Sequence, residues 1–299
     1  MRALRILAAV ACFAVAVGAT VGSEPDAIKS VTAAGGKLQY DKIAKKRVVG
    51  GVALKGAKTT DETLKDLLEF PALTHVELRD APNVTAAGVA EFAKAKKLQK
   101  VELQGAIASD DAAKALAAAT ALTELRLAGG GLTDDGVAQL AALTKLQSLA
   151  LTQNPKVRGA TVPALVAAKD LNNLTLSDCP LGDLAGWAAL KKLPKLTSLF
   201  LLQAGVTDAG LKELGQLTQL TSLALDGSPV TDAGLAELVR LKGLKSLRVM
   251  DTQITEKAVA VLSGMKQLTY LGVSEMHIGK ADAEALKKAL PKCDVEIAK

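Results

Sequence analysis

The feature that most constrains the fold of this chain is a spacing. Pairs of aliphatic residues two positions apart recur from Val52/Leu54, through Val76/Leu78, Leu149/Leu151 and Leu223/Leu225, to Val295/Ile297. Eleven such pairs stand 24 or 25 residues apart over about 240 residues. A fixed period of this length means a stack of identical supersecondary units rather than one irregular core. No single unit can bury its own apolar face, so stability is a nearest-neighbour sum along the stack.

The periodicity changes inside each unit, and the change gives the local structure. Around Leu223-Ala224-Leu225 it is two, which sets the leucines on one face of a short strand and Ser222, Ala224 and Asp226 on the other. A polar turn follows, and Thr231-Asp232 then opens a helix, where a hydroxyl and a carboxylate suit unpaired N–H groups and the positive dipole end. Leu235, Leu238 and Leu241 form a single apolar stripe. The first stripe position reads Leu64, Val89, Ala113, Val137, Val162, Trp187, Leu211, Leu235, Val259 and Ala283. Trp187 is therefore expected in the core.

The pattern Leu-x-x-Leu-x-Leu followed by Thr-Asp-x-Gly-Leu-x-x-Leu resembles the leucine-rich repeat superfamily. It is most similar to the Thr-Asp-x-Gly-Leu subtype of exported bacterial proteins, related to the cysteine-containing F-box type and to ribonuclease-inhibitor-like repeats. Residues 133–137, 207–211 and 231–235 carry the match. The resemblance implies a right-handed α/β solenoid, a horseshoe with a parallel sheet on the concave side and helices on the convex side. It covers residues 48–298, about ten units and a terminal strand, and residues 24–47 look like the N-terminal cap of such proteins. The sequence departs from the family three residues after the strand, where Asn or Cys usually joins neighbouring turns. Here that column is mostly Ala, Gly or Ser, with Asn154 and Cys179 as exceptions, so turn backbones must satisfy one another or bind water.

Residues 1–23 combine Arg2 and Arg5 with an apolar run from Ile6 to Val17 and small residues to Ala19. This is the pattern of a secretory signal, too short to span a bilayer, with cleavage after Ala19 or near Ser23. Its removal takes two of the 37 basic residues and none of the 31 acidic ones, leaving +4. So mild a balance argues against nucleic acid as a partner. Export to the periplasm, cell surface or exterior is expected, with no integral membrane segment in the mature chain. Cys179 follows the sixth aliphatic pair and Cys293 precedes the eleventh. At about 4.8 Å per strand they lie roughly 24 Å apart, too far for a disulfide.

The sequence offers little for catalysis. Gly129-Gly130-Gly131 lacks the Lys and hydroxyl of a phosphate loop. The carboxylates Asp61, Asp110, Asp134, Asp183, Asp208 and Asp232 recur one per helix start, which helix capping explains without a calcium ladder. His75 and His277 are eight units apart and cannot share a metal. No enzyme activity, cofactor or metal is therefore expected.

What remains is the outward face of the strands, which a curved stack presents as one concave sheet. Its first three units are charged with both signs, and its middle is small and neutral. Phe200, Leu202, Met250 and Tyr270 then point outward beside Arg248 and Asp226, the kind of aromatic and Arg cluster a protein-binding hot spot uses. The expectation is an exported, monomeric, non-catalytic scaffold that binds a protein or peptide there. The rival is a structural or envelope-associated protein that touches wall polymer through a Lys-bearing helix face.

Overall fold

The computed structural model describes residues 23–43, 46–160, 162–181 and 186–298. The expected signal segment, Cys12 and Asp183 lie outside them. The aliphatic pairs form the strands of one sheet: β1 (Lys37–Ile43), β2 (Lys46–Lys55), β3 (His75–Arg79), β4 (Lys100–Gln104), β5 (Glu124–Ala128) and β6 (Ser148–Thr152) in its first half. The second half is β7 (Asn173–Ser177), β8 (Ser198–Phe200), β9 (Ser222–Ala224), β10 (Ser246–Arg248), β11 (Tyr270–Ser274) and β12 (Asp294–Ala298). The strands lie side by side in chain order, and all but β1 are parallel to their neighbours. Each aliphatic pair sits in register with the next, as Leu199↔Leu223 and Leu223↔Leu247 show.

The helical segments cover one face only. Their first anchors are buried, Val137, Trp187, Leu211 and Leu235 being fully shielded, except that Val259 is half-buried and Ala258 beside it takes the interior place; together they pack on the inward strand leucines to form a continuous α/β solenoid core. The N-terminal cap is richer than the sequence indicates. Helix α1 (Glu24–Ala33) buries Ala27 and Val31, and β1 folds back antiparallel on β2 to form the sheet edge. That hairpin was not expected, because the polar run of β1 falls outside the 24-residue period.

Two ladders tie the units together in place of the missing Asn column. In the first, the residue two after the second strand aliphatic is left-handed in nine successive units. Four of these are Gly56, Gly105, Gly129 and Gly227, and the others are Asp80, Gln153, Asp178, Gln203 and Asp251. Glycine is free to adopt this conformation and Asp tolerates it. The turn aims each N–H at the next unit, as in Asp80 N–H to Gln104 O at 3.0 Å and Gly129 N–H to Thr152 O at 3.0 Å. Asn154 and Cys179 add side-chain bonds of the family type, Asn154 Nδ2 to Leu127 O at 3.1 Å and Cys179 Sγ to Leu151 O at 3.7 Å.

The second ladder corrects the expectation that the recurring Asp residues only cap their own helices. The cap is the preceding hydroxyl, as where Thr231 Oγ1 accepts from Ala233 N–H at 3.2 Å. The Asp carboxylate instead reaches the next unit. Asp208 accepts from Thr231 N–H at 2.9 Å and Thr231 Oγ1–H at 2.5 Å. Asp61 binds Thr85, Asp110 binds Thr133 and Asp232 binds Thr255 in the same two-pronged way. The glycine of Thr-Asp-x-Gly makes room for it: a methyl group on Gly88, Gly136 or Gly234 would overlap the carboxylate oxygen of Asp61, Asp110 or Asp208 respectively.

Cys179 and Cys293 are both free thiols. Burial pushes the Cys179 thiol up to about 11 and raises that of half-exposed Cys293 above its usual range. Both are therefore protonated, weak nucleophiles at neutral pH. Iodoacetamide at pH 8 should label Cys293 slowly and Cys179 only after unfolding, as read by peptide mass spectrometry. A Cys179 to Cys293 crosslink in the oxidised monomer would contradict the register of the whole stack.

Candidate functional site

The helix-free face of the sheet is a set of rows fixed by strand register. One row runs Thr175, Phe200, Ala224, Arg248, Gly272 and Glu296 across β7 to β12. Leu199 and Leu201 are fully buried on either side of Phe200, so the ring leaves the core on the opposite face, as the alternation requires. It is half-buried, between the small side chains of Thr175 and Ala224. Leu202 is also half-buried, in the turn after β8 rather than on the strand.

Two of the six expected surface residues prove to be interior supports. Asp226 and Met250 are each only 7% exposed. β9 and β10 end after three residues, so positions expected to continue the outward column fall in turns that fold over the sheet. There Asp226 Oδ1 accepts Met250 N–H at 3.0 Å, and Oδ2 stands 2.7 Å from Arg248 Nη2. Burial pushes the Asp226 carboxyl up, while the Met250 N–H and Arg248 oppose the shift. Met250 Sδ lies 3.9 Å from Arg248 Nη2. A methyl group on Gly272 would collide with Met250, press on Arg248 and touch the Tyr270 hydroxyl, so the three side chains close over that glycine. Tyr270 donates its hydroxyl to the Glu296 carboxylate, and burial together with this bond raises its pKa to about 12.

The structure thus joins Asp226, Arg248, Met250 and Tyr270 into one cluster. Asp226 holds the guanidinium from below, while half-buried Arg248 and Tyr270 face outward beside the row that carries Phe200. Among the described residues, no group of three His, Cys, Asp or Glu side chains converges on one point.

Two hollows of the open face lie elsewhere, over β1 to β5. One of about 300 Å³ is bordered by Lys37, Lys55, Glu77 and Arg79, and another of about 300 Å³ by Glu77, Arg79, Glu102, Gln104 and Arg126. Glu77 pairs with Arg79, and Lys100 lies 2.9 Å from Glu102 and 3.6 Å from Glu124. His75 stands 3.7 Å from Glu102. Burial lowers its pKa, reinforced by Lys100. Lys37 escaped the sequence reading because its strand lies outside the repeat.

A family model described as a leucine-rich repeat matches residues 119–141, which span β5 and the helix after it. An internalin structure from Listeria monocytogenes superposes with a TM-score of 0.53 at 18% identity, covering 92% of this chain and 94% of the other. The chain has the leucine-rich repeat fold. A second structure, internalin C2 of the same species, aligns over 84% of this chain and 93% of its own at 19% identity, with a TM-score of 0.46. No curated protein matches the sequence. In leucine-rich repeat terms, the Phe200 row and the charged hollows both occupy the face that the helices leave uncovered. No described helix is long and apolar enough to cross a membrane.

Proposed function

We propose that this leucine-rich repeat chain is an exported, non-catalytic scaffold that recognises a protein or peptide through the open face of its sheet. The observation that carries the reading is Phe200, a ring left half-exposed above small neighbours on a rigid row, with a carboxylate-braced Arg248 two strands away. An aromatic anchor beside an ordered Arg, both on regular strands, lacks only a partner to complete the burial. The contact set is Phe200, Leu202, Arg248 and Tyr270, with Asp226 and Met250 holding Arg248 in place.

The test is retention of a partner from the native extracellular or periplasmic fraction, comparing the parent chain with Phe200→Asp. Removing one aromatic anchor typically costs about 2 kcal/mol or more of binding. Partner retention should therefore fall at least about thirtyfold, while the melting temperature stays within about 2 °C because the ring is outside the core. Undiminished retention moves the site off this row.

A further inference from the structure

The charge pattern of the N-terminal hollows specifies the chemistry of a ligand. Every carboxylate lining them is engaged: Glu77 by Arg79 and Glu102 by Lys100. Three cations on the same floor are not. Lys37, Lys55 and Arg126 have no carboxylate within 4.0 Å among the described residues. Lys37 stands opposite Ala53 across the β1/β2 pair, which puts its side chain on the open face with that of Lys55. These two border one hollow, and Arg126 borders the other.

Their separation has a length. From β2 to β5 is three strand steps, about 14 Å, and Arg126 is displaced two residues along the strand, about 7 Å. The two cationic points are thus roughly 16 Å apart, which an extended chain spans in about five residues. Glu77 and Glu102 occupy the floor between them. A uniform polyanion laid across the sheet would meet these carboxylates at each step, whereas a peptide can place neutral or basic residues over them.

We propose that this half of the open face takes an extended peptide segment with two acidic residues about four or five positions apart, one held by Lys37 and Lys55 and the other by Arg126. The assignment rests on the peptide-binding reading above and adds the partner's charge pattern to it.

The probe is a phage-displayed library of random peptides of about 12 residues, selected against the immobilised full chain at low salt. Enrichment of Asp or Glu pairs at that spacing is expected. Synthetic copies of the winners should bind Lys55→Glu/Arg126→Glu about tenfold more weakly, and fresh selection on that variant should turn toward Lys and Arg. If the double reversal fails to fold, Lys55→Gln/Arg126→Gln should still erase the acidic preference. Winners with no acidic preference that nevertheless lose retention on Phe200→Asp would overturn this assignment and leave the broader reading intact. A library that yields no retained peptide overturns the assignment too, and the native-partner experiment then decides the broader reading alone.

Discussion

Gly234→Ala will destabilise the array by about 3 kcal/mol, although the change replaces a helix-breaking residue with the best helix former. Propensity alone favours alanine by roughly 1 kcal/mol at a helical position with negative φ. The opposing term is steric. Gly234 lies in the first turn of the helix Asp232–Glu237, directly against Asp208 of the preceding unit. A methyl group there displaces the carboxylate that clamps Thr231 N–H and Oγ1–H, and the charge-assisted bonds it breaks each contribute more than a neutral one. The effect should therefore depend on Asp208. In an Asp208→Ala background the same substitution should cost less than half as much, the remaining pressure coming from the Asp208 Cα at 2.9 Å. Gly264→Ala is the control, because nothing lies within 4 Å of the added methyl group, and it should be neutral or slightly stabilising. Urea titration of the four variants measures the coupling directly. A cost at Gly234 that is independent of Asp208 would mean that the glycine serves the helix and not the ladder.

The chain contains its own version of this experiment. In the unit after Asp232, the glycine position is held by Ala258, and Asp232 still binds Thr255. Here the helix starts at Ala258 itself, whereas in the unit before it starts at Asp232, two residues before Gly234. An alanine against the clamp is accommodated by giving up most of a helical turn. One unit also shows the converse: Ala112 stands in the glycine position where the preceding unit has Ala86 in place of Asp, and its helix begins at Asp110 without delay. At Gly88, Gly136 and Gly234 the glycine answers the carboxylate of the previous unit and not the demands of its own helix, with Ala258 as the exception.

This dependence explains why the sequence was a good guide to the fold and a partial one to the ladder and the surface. Strand positions and helix anchors are written as apolar residues at fixed spacing, and burial enforces that spacing in every unit, so Leu199, Leu223 and Leu247 could be placed in register from sequence. The Asp of Thr-Asp-x-Gly satisfies two demands with one residue type. A carboxylate suits the helix dipole locally and also suits the next unit's Thr, and only the folded structure shows that the second bond is the one formed. Asp226 and Met250 were misplaced for a related reason. Alternation was extended two residues past strands that stop early, where turn geometry replaces period two. Phe200 lies before that break, and its outward direction held. The β1 hairpin carries no period at all, and with it went Lys37, the residue that closes one end of the charged hollow.

Trp187→Ala should be the most disruptive single change in the array, costing about 4 kcal/mol by removing a fully buried indole. Its position magnifies the loss. Among the described residues, the unit before it carries the four-residue helix Val162–Leu165, and Trp187 itself opens the 3₁₀ segment Trp187–Lys192. Most other units fill the first anchor position with Val or Leu. Here one large, fully buried indole fills that position. Because each unit is stabilised only through its neighbours, a cavity at this link weakens the coupling between the two halves of the stack. The parent chain should melt in a single calorimetric transition, and Trp187→Ala should split it in two. Trp187→Leu keeps the anchor while losing part of the volume, and should cost about half as much with the transition still single. Trp187 is the only tryptophan, so its emission in the parent chain reports on this link and should shift together with the far-ultraviolet dichroism. A loss below about 1 kcal/mol with one transition would mean that the neighbouring units collapse into the space, and that this link is not the weak point of the solenoid.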